Sequence, residues 1–130
     1  MRYWQFDVCT LIADFEKNKR TLASVGEALT VARGWLKNPI DPIGETATGE
    51  VERYIEMLEM REREFRMYTD MVILGLNDLP EIERNVLKWW LIEHYSDERI
   101  VYESGIENTD ELRKIKIIAL RKFKQIVMPN

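Results

Sequence analysis

Between Val101 and Leu112 the chain carries a break that few folds accommodate, Ser104-Gly105-Ile106-Glu107-Asn108, set between two stretches of helical periodicity. Gly105 supplies the left-handed backbone angle that ends one helix. Asn108 or Thr109 then caps the next, with Glu111 in the capping-box position three residues after Asn108. Upstream, Pro80 suits a first helical position, and Glu81 and Glu83 fall in a first turn where acids are favourable. That helix should run to about His94, with Ile82, Val86, Leu87, Trp90 and Leu91 inward. Ser96 caps a short helix over Asp97–Ser104 that turns Ile100 and Val101 inward. A last helix from Thr109 to about Met128 has Leu112, Ile115, Ala119, Leu120 and Phe123 as its core stripe. A short helix, a Gly-containing turn and a longer basic helix make a helix-turn-helix pattern.

The first half of the chain follows a different period. Trp4, Val8, Leu11, Phe15, Leu22, Val25, Leu29, Ala32 and Leu36 recur in alternating steps of three and four, interrupted only by polar Asn18. Such a heptad seam predicts one long helix over 3–37 that packs on a second helix, on another copy of the chain, or on both. Trp4, Val8, Leu11, Phe15, Leu22, Val25 and Leu29 are the residues expected to mediate self-association. Residues 38–49, with two prolines and two glycines, form a linker. The next helix starts near Thr48 and runs to about Gly75 on a seam of Val51, Ile55, Leu58, Glu62, Phe65, Tyr68, Val72 and Gly75, with four methionines (Met57, Met60, Met67, Met71) alongside. The expected architecture is all-α. Residues 1–78 form a helical hairpin or coiled-coil-like extension for oligomerisation or partner binding, and 79–130 form the second domain.

Several function classes fall away on the same residues. Cys9 is the only cysteine, so an intrachain disulfide is impossible, and its apolar neighbours suggest a small core residue. His94 is the only histidine and reads as a helix-end residue bonded to the last carbonyls. With no nucleophile context, no phosphate-binding Gly loop and no metal-ligand spacing, neither an enzyme nor a metal or cofactor site is expected, and no small-molecule substrate. Asp7 and Asp14 interrupt any apolar leader, and no apolar run approaches the roughly 18 residues that a membrane span needs. A cytoplasmic protein with no membrane partner is the expectation. Trp89-Trp90 is an unusual pair, since adjacent helical positions diverge by about 100°. Trp90 is expected in the core, meeting Phe123, and Trp89 against the N-terminal helices or a partner.

The formal charge of −4 is unevenly spread. Residues 1–79 hold 14 acids against 10 bases, whereas 112–130 hold six bases and no acid. A basic patch confined to the last helix is the footprint of a double-stranded DNA partner. Positions Thr109, Asp110, Arg113, Lys114 and Ile117 share the face away from the core stripe and would reach base edges, Arg113 foremost because its planar fork bonds guanine at two points. Lys116, Lys122 and Lys124 are expected to touch phosphate, and Arg121 completes the basic set. The acids Asp110 and Glu111 at the helix opening would repel phosphate but can accept from cytosine amino groups.

The C-terminal half resembles region 4 of bacterial sigma factors. The likeness rests on Leu79-Pro80, Glu83-Arg84, Val86-Leu87, Tyr95-Ser96-Asp97, Ile100, Gly105-Ile106, Leu112-Arg113, Ile115, Ala119-Leu120, Lys122 and Phe123. It covers about 50 residues well and the remainder by layout alone. In whole layout the chain resembles the ArpU/RinA-type group of phage and prophage regulators of late, packaging and lysis genes. The resemblance implies a sigma-like helix-turn-helix and a transcription regulator acting in a bacterial host cell, with RNA polymerase as a candidate partner, and it places an arginine at position 113; the apolar seam and the pairing of DNA half-sites predict a homodimer or higher state. A small terminase subunit is the near alternative, but such subunits usually carry the DNA-binding domain first. A sigma-like module that binds RNA polymerase or another protein without reading DNA is the alternative of a different class.

Overall fold

Asp14 ends one helix and Phe15 begins another, so the seam predicted as a single helix over 3–37 is divided. The computed structural model describes residues 3–37 and 45–129. Its elements are α1 (Tyr3–Ala13), α2 (Phe15–Lys37), α3 (Glu45–Asn77), α4 (Glu81–Leu87) continuing into a π turn (Lys88–Ile92), α5 (Asp97–Ser104) and α6 (Thr109–Val127). No strand occurs among the described residues, and the fold is all-α. Of the expected linker, 38–44 lies outside the described residues, while Glu45–Gly49 already belong to α3.

The chain divides into two compact units, and the division is not at 78/79. One unit joins Met1–Glu16 to Thr69–Asn130; the other is Lys17–Tyr68. The boundary differs because the seam serves two cores. Aspartate favours caps and turns over helix interiors, and Asp14 stands where the seam changes partner.

In the Lys17–Tyr68 unit, α2 lays Val25, Leu29 and Ala32 against Ile55 and Leu58 of α3, with Ala28 and Val51 half-buried beside them. Exposed Arg33 and Glu59 approach within 3.8 Å across the same pair of helices. The α3 helix of the same chain therefore covers the α2 part of the seam.

In the other unit, Val8 and Ile12 of α1, Val72 and Leu76 of α3, Leu79, Leu87, Leu91, and Ala119, Leu120 and Phe123 of α6 form the main core. Phe123 is fully buried, and it approaches α3 closely because Gly75 has no side chain there: a Cβ would come within 2.6 Å of its Cδ2 and closer still to Cε2. A second cluster of Val86, Ile100 and Leu112 ties α4, α5 and α6 together, flanked by Trp89, Trp90, Tyr95, Val101, Ile106 and Ile115.

Several expected placements change. Among the proposed self-association residues, Val8, Val25 and Leu29 are buried inside the chain, and Leu11, Phe15 and Leu22 are half-buried. The Trp4 side chain lies outside the described set. The predicted interface is thus largely consumed by intramolecular packing. Thr69 and Leu76, not Tyr68, complete the buried stripe of α3. Ile82 is exposed, and Glu83 next to it is buried. Trp90 is half-buried and packs against both clusters, so Phe123 alone is central. Trp89 lies 6.5 Å from Tyr95 in a stacked arrangement, within its own unit.

Candidate nucleic-acid interface

The corner between α5 and α6 is built from local chemistry. Gly105 takes φ 77, a left-handed conformation that costs a residue with a Cβ roughly 1–2 kcal/mol. Its N–H donates to the Val101 carbonyl at 3.1 Å. The Ser104 hydroxyl accepts from Ile106 N–H at 3.1 Å, and Ile106 then packs into the second cluster. Asn108 is extended, and its side-chain oxygen accepts from Glu111 N–H at 2.9 Å. Of the two caps the sequence allowed, Asn108 is the one used. Ser96 does the same for α5, accepting from Arg99 N–H at 3.2 Å. Both capped helices meet through Ile100 and Leu112, so the orientation of α6 is fixed by a fully buried contact.

The approach to α5 differs from a plain helix end. Glu93 N–H donates to Lys88 O at 2.9 Å and Tyr95 N–H to Trp89 O at 2.8 Å, wider rings than the α-helix closes. His94 follows at φ 58 and ends the turn. It stands at the helix end as expected, but its imidazole is exposed and its contribution is a backbone angle.

The predicted DNA contacts separate into two groups. Thr109, Asp110, Arg113, Lys114 and Arg121 are exposed on α6. Arg113 lies 3.8 Å from Asp110 and Lys114 lies 3.7 Å from Glu111, stretched pairs one turn apart on exposed side chains. Pairs of this kind contribute about 0–1 kcal/mol and yield readily to a competing anion.

The second group is engaged inside the chain. Lys116 bonds Asp97 at 2.6 Å, is 14% exposed, and holds its ammonium 4.4 Å from the Trp90 ring centroid. Lys122 bonds the nearly buried Glu83 carboxylate at 2.9 Å. Neither is a free phosphate ligand, and Lys124 is half-buried with interactions of its own. Ile117 is half-buried, whereas its neighbour Ile118 is 45% exposed on the outer face. An acid-free run in sequence is therefore not an unopposed basic face. The compensating acids, Asp97 and Glu83, stand 19 and 39 residues away in the chain.

No group of His, Cys, Asp and Glu suited to a metal ion occurs among the described residues. Nor is any described helix long and apolar enough to cross a membrane. None of the protein-family models, curated proteins and solved structures compared matches this chain.

Proposed function

We propose that the chain is a sequence-specific DNA-binding transcription regulator, of the kind that acts on phage or prophage late genes in the cytoplasm of a bacterial host. In this reading α5 and α6 form a helix-turn-helix, and α6 enters the major groove. One observation carries it: an eight-residue α5, a turn ended by left-handed Gly105 and capped by Asn108, and a 19-residue α6 held by the Ile100–Leu112 contact. The solvent side of α6 then offers Thr109, Asp110, Arg113 and Lys114 at its N-terminal end, where a recognition helix meets base edges. Arg121, seven residues beyond Lys114, stands about 10.5 Å further along the axis, within reach of backbone phosphate.

The salt dependence follows from the count of cations outside the two long-range pairs of α6. Arg113, Lys114 and Arg121 are the exposed bases of α6 outside the Lys116 and Lys122 pairs. At about 0.9 per phosphate neutralised, log K against log salt should fall with a slope near −1 per copy if Arg121 alone meets phosphate and near −3 if Arg113 and Lys114 do so as well, against about −5 if all six bases took part. Pairing of copies would set two such helices on two half-sites, and RNA polymerase is a further proposed partner.

The test is selection of a bound site from a pool of random duplexes. Arg113→Ala should then lose about 1–3 kcal/mol on the selected site and relax preference at one base pair. Equal weakening on selected and random DNA would remove α6 from the role of reader. A second reading, a module that binds a protein through α6 without reading DNA, is favoured by the matched acid–base pairs at the opening of that helix. Absence of any duplex binding at low salt would establish it over the first.

A further inference from the structure

The two flanks of the α2–α3 pair in the Lys17–Tyr68 unit differ in charge. On one, Glu59 and Glu62 of α3 lie 3.8 and 3.9 Å from Arg33 and Arg66. On the other, a groove of about 370 Å³ gathers Lys17 and Arg20 of α2 and Arg61 of α3, and no acid lines it. That volume falls within the roughly 300–1,000 Å³ of small-molecule sites. The Lys17 ammonium and the Arg20 guanidinium meet no carboxylate among the described residues. Arg61 lies 6.0 Å from the Phe65 ring centroid and meets no carboxylate either. Three like charges around one groove repel one another, and an anion set between them relieves that repulsion.

The rest of the groove is of another character. Buried Val25 and Leu58 form its floor, and the Tyr54 ring, 40% exposed, borders it with no ring contact among the described residues. Ser24 adds a hydroxyl donor, whereas the Thr21 hydroxyl already donates to the Lys17 carbonyl. A Cβ at Gly26 would stand 4.0 Å from Glu62, while Arg33, seven residues later, meets Glu59, so the two helices run antiparallel. Arg61 thus shares the end of Lys17 and Arg20. Tyr54, seven residues before it, stands about 10.5 Å away along the α3 axis.

We propose that this groove binds a nucleoside polyphosphate, with its phosphates among Lys17, Arg20 and Arg61 and its base on the Tyr54 ring. An extended nucleoside triphosphate covers that span between its base and its terminal phosphate. A duplex keeps its bases inside the stack and offers nothing to the Tyr54 end. No carboxylate or amide side chain lines the groove to read a base edge, and stacking accepts any base, so adenine and guanine should be held alike. Nor does any acid line it to hold a metal ion. The three cations neutralise the phosphates themselves, and magnesium, which binds the same oxygens, should compete with them. None of these residues belongs to α6, and the inference does not rest on DNA binding.

The experiment titrates the full chain at low salt, with no DNA present. ATP and GTP should bind with similar dissociation constants by calorimetry, and magnesium should raise both. In amide NMR spectra, ATP should shift residues within 17–28 and 54–61. Arg20→Ala, at an exposed position, should weaken ATP binding about tenfold or more. Arg33→Ala removes an exposed cation from the opposite flank and should leave it unchanged. Tyr54→Ala should weaken ATP but not inorganic tripolyphosphate, and Tyr54→Phe should retain both. Absence of ATP binding, shifts confined to α6, equal losses in Arg20→Ala and Arg33→Ala, or a Tyr54→Ala chain that binds ATP as tightly as the parent would each overturn the proposal. An Arg20→Ala chain that loses duplex affinity while holding ATP as before would assign the groove to the DNA backbone and overturn it as well.

Discussion

Replacing glycine by alanine inside a helix normally stabilises it by about 1 kcal/mol. Two glycines of this chain should answer with opposite signs. Gly34 in α2 has nothing within 4 Å of where a Cβ would stand. Gly34→Ala should therefore gain roughly 0.5–1 kcal/mol, chiefly by limiting the unfolded backbone. At Gly75 the same atom would meet the Phe123 ring at 2.6 Å and closer, and Val127 Cγ1 at 2.9 Å. Phe123 is fully buried in the cluster with Val72, Leu76 and Ala119. Overpacking of this kind costs about 1–3 kcal/mol, and contact with two side chains argues for the upper end. Subtracting the propensity gain leaves Gly75→Ala destabilised by about 2 kcal/mol. Urea unfolding followed by far-UV circular dichroism measures both variants against the parent. Phe123→Leu in the Gly75→Ala background should recover part of the loss, a coupling of the sign expected for relieved overlap. A Gly75→Ala protein stabilised as much as Gly34→Ala would refute the close approach of α3 and α6.

The remaining predictions are read from the same unit. Phe123→Ala should cost about 3–5 kcal/mol in urea unfolding, the range for truncating a buried aromatic. Asn108→Ala removes the Glu111 N–H acceptor and should cost about 1 kcal/mol, whereas exposed Gln125→Ala should stay near zero by the same assay. Lys122→Ala should destabilise by about 1 kcal/mol through the stranded Glu83 carboxylate, so an unchanged midpoint would return Lys122 to the DNA-facing set. Cys9 has its thiol pushed above 9.0 by burial, against a smaller opposing pull from Lys116. It should stay protonated and react slowly with a disulfide reagent at neutral pH until the chain is unfolded. Because the folded chain holds that proton more tightly than the unfolded one, this site's contribution to stability should decline as pH rises through and above 9.0.

Residues whose role depends on a neighbour a few positions away were legible in the sequence. Gly105, Asn108 and Ser96 declare a turn and two caps by their own chemistry, and the Leu112–Phe123 stripe of α6 declares its buried side by period. Contacts across long separations were not. Lys122 reads as a solvated base until α4 brings Glu83 beside it, and Lys116 does so until Asp97 and the Trp90 ring arrive. The α1–α2 seam was visible as apolar spacing, but spacing does not say which residues belong to which core. Val8 and Leu29, three heptads apart, occupy equivalent seam positions and end in different units. At the candidate site, the exposed set of Thr109, Asp110, Arg113, Lys114 and Arg121 was found from the helical face alone. What the helical face alone did not show is that Lys116, Ile117 and Lys124 are half-buried and that Lys122, itself exposed, pairs with Glu83.

The π turn at Lys88–Ile92 carries one residue more than an α-helical ring closes around, and that surplus acts as a phase adjuster in the backbone. In a regular helix consecutive side chains diverge by about 100°; the wider ring brings successive ones closer in direction. That is how Trp89 and Trp90 both reach the Val86–Ile100–Leu112 cluster. The azimuth at which the chain leaves α4 is set there too, upstream of His94 and Ser96. Deleting Lys88 would let ordinary α rings close, yet every side chain from Tyr95 onward would arrive rotated. The cost would be felt in α5 and α6, far along the chain from the missing residue. The spacing between Leu87 and Ser96 is in this sense a length standard, and a lost residue there is less tolerable than many substitutions at the same positions.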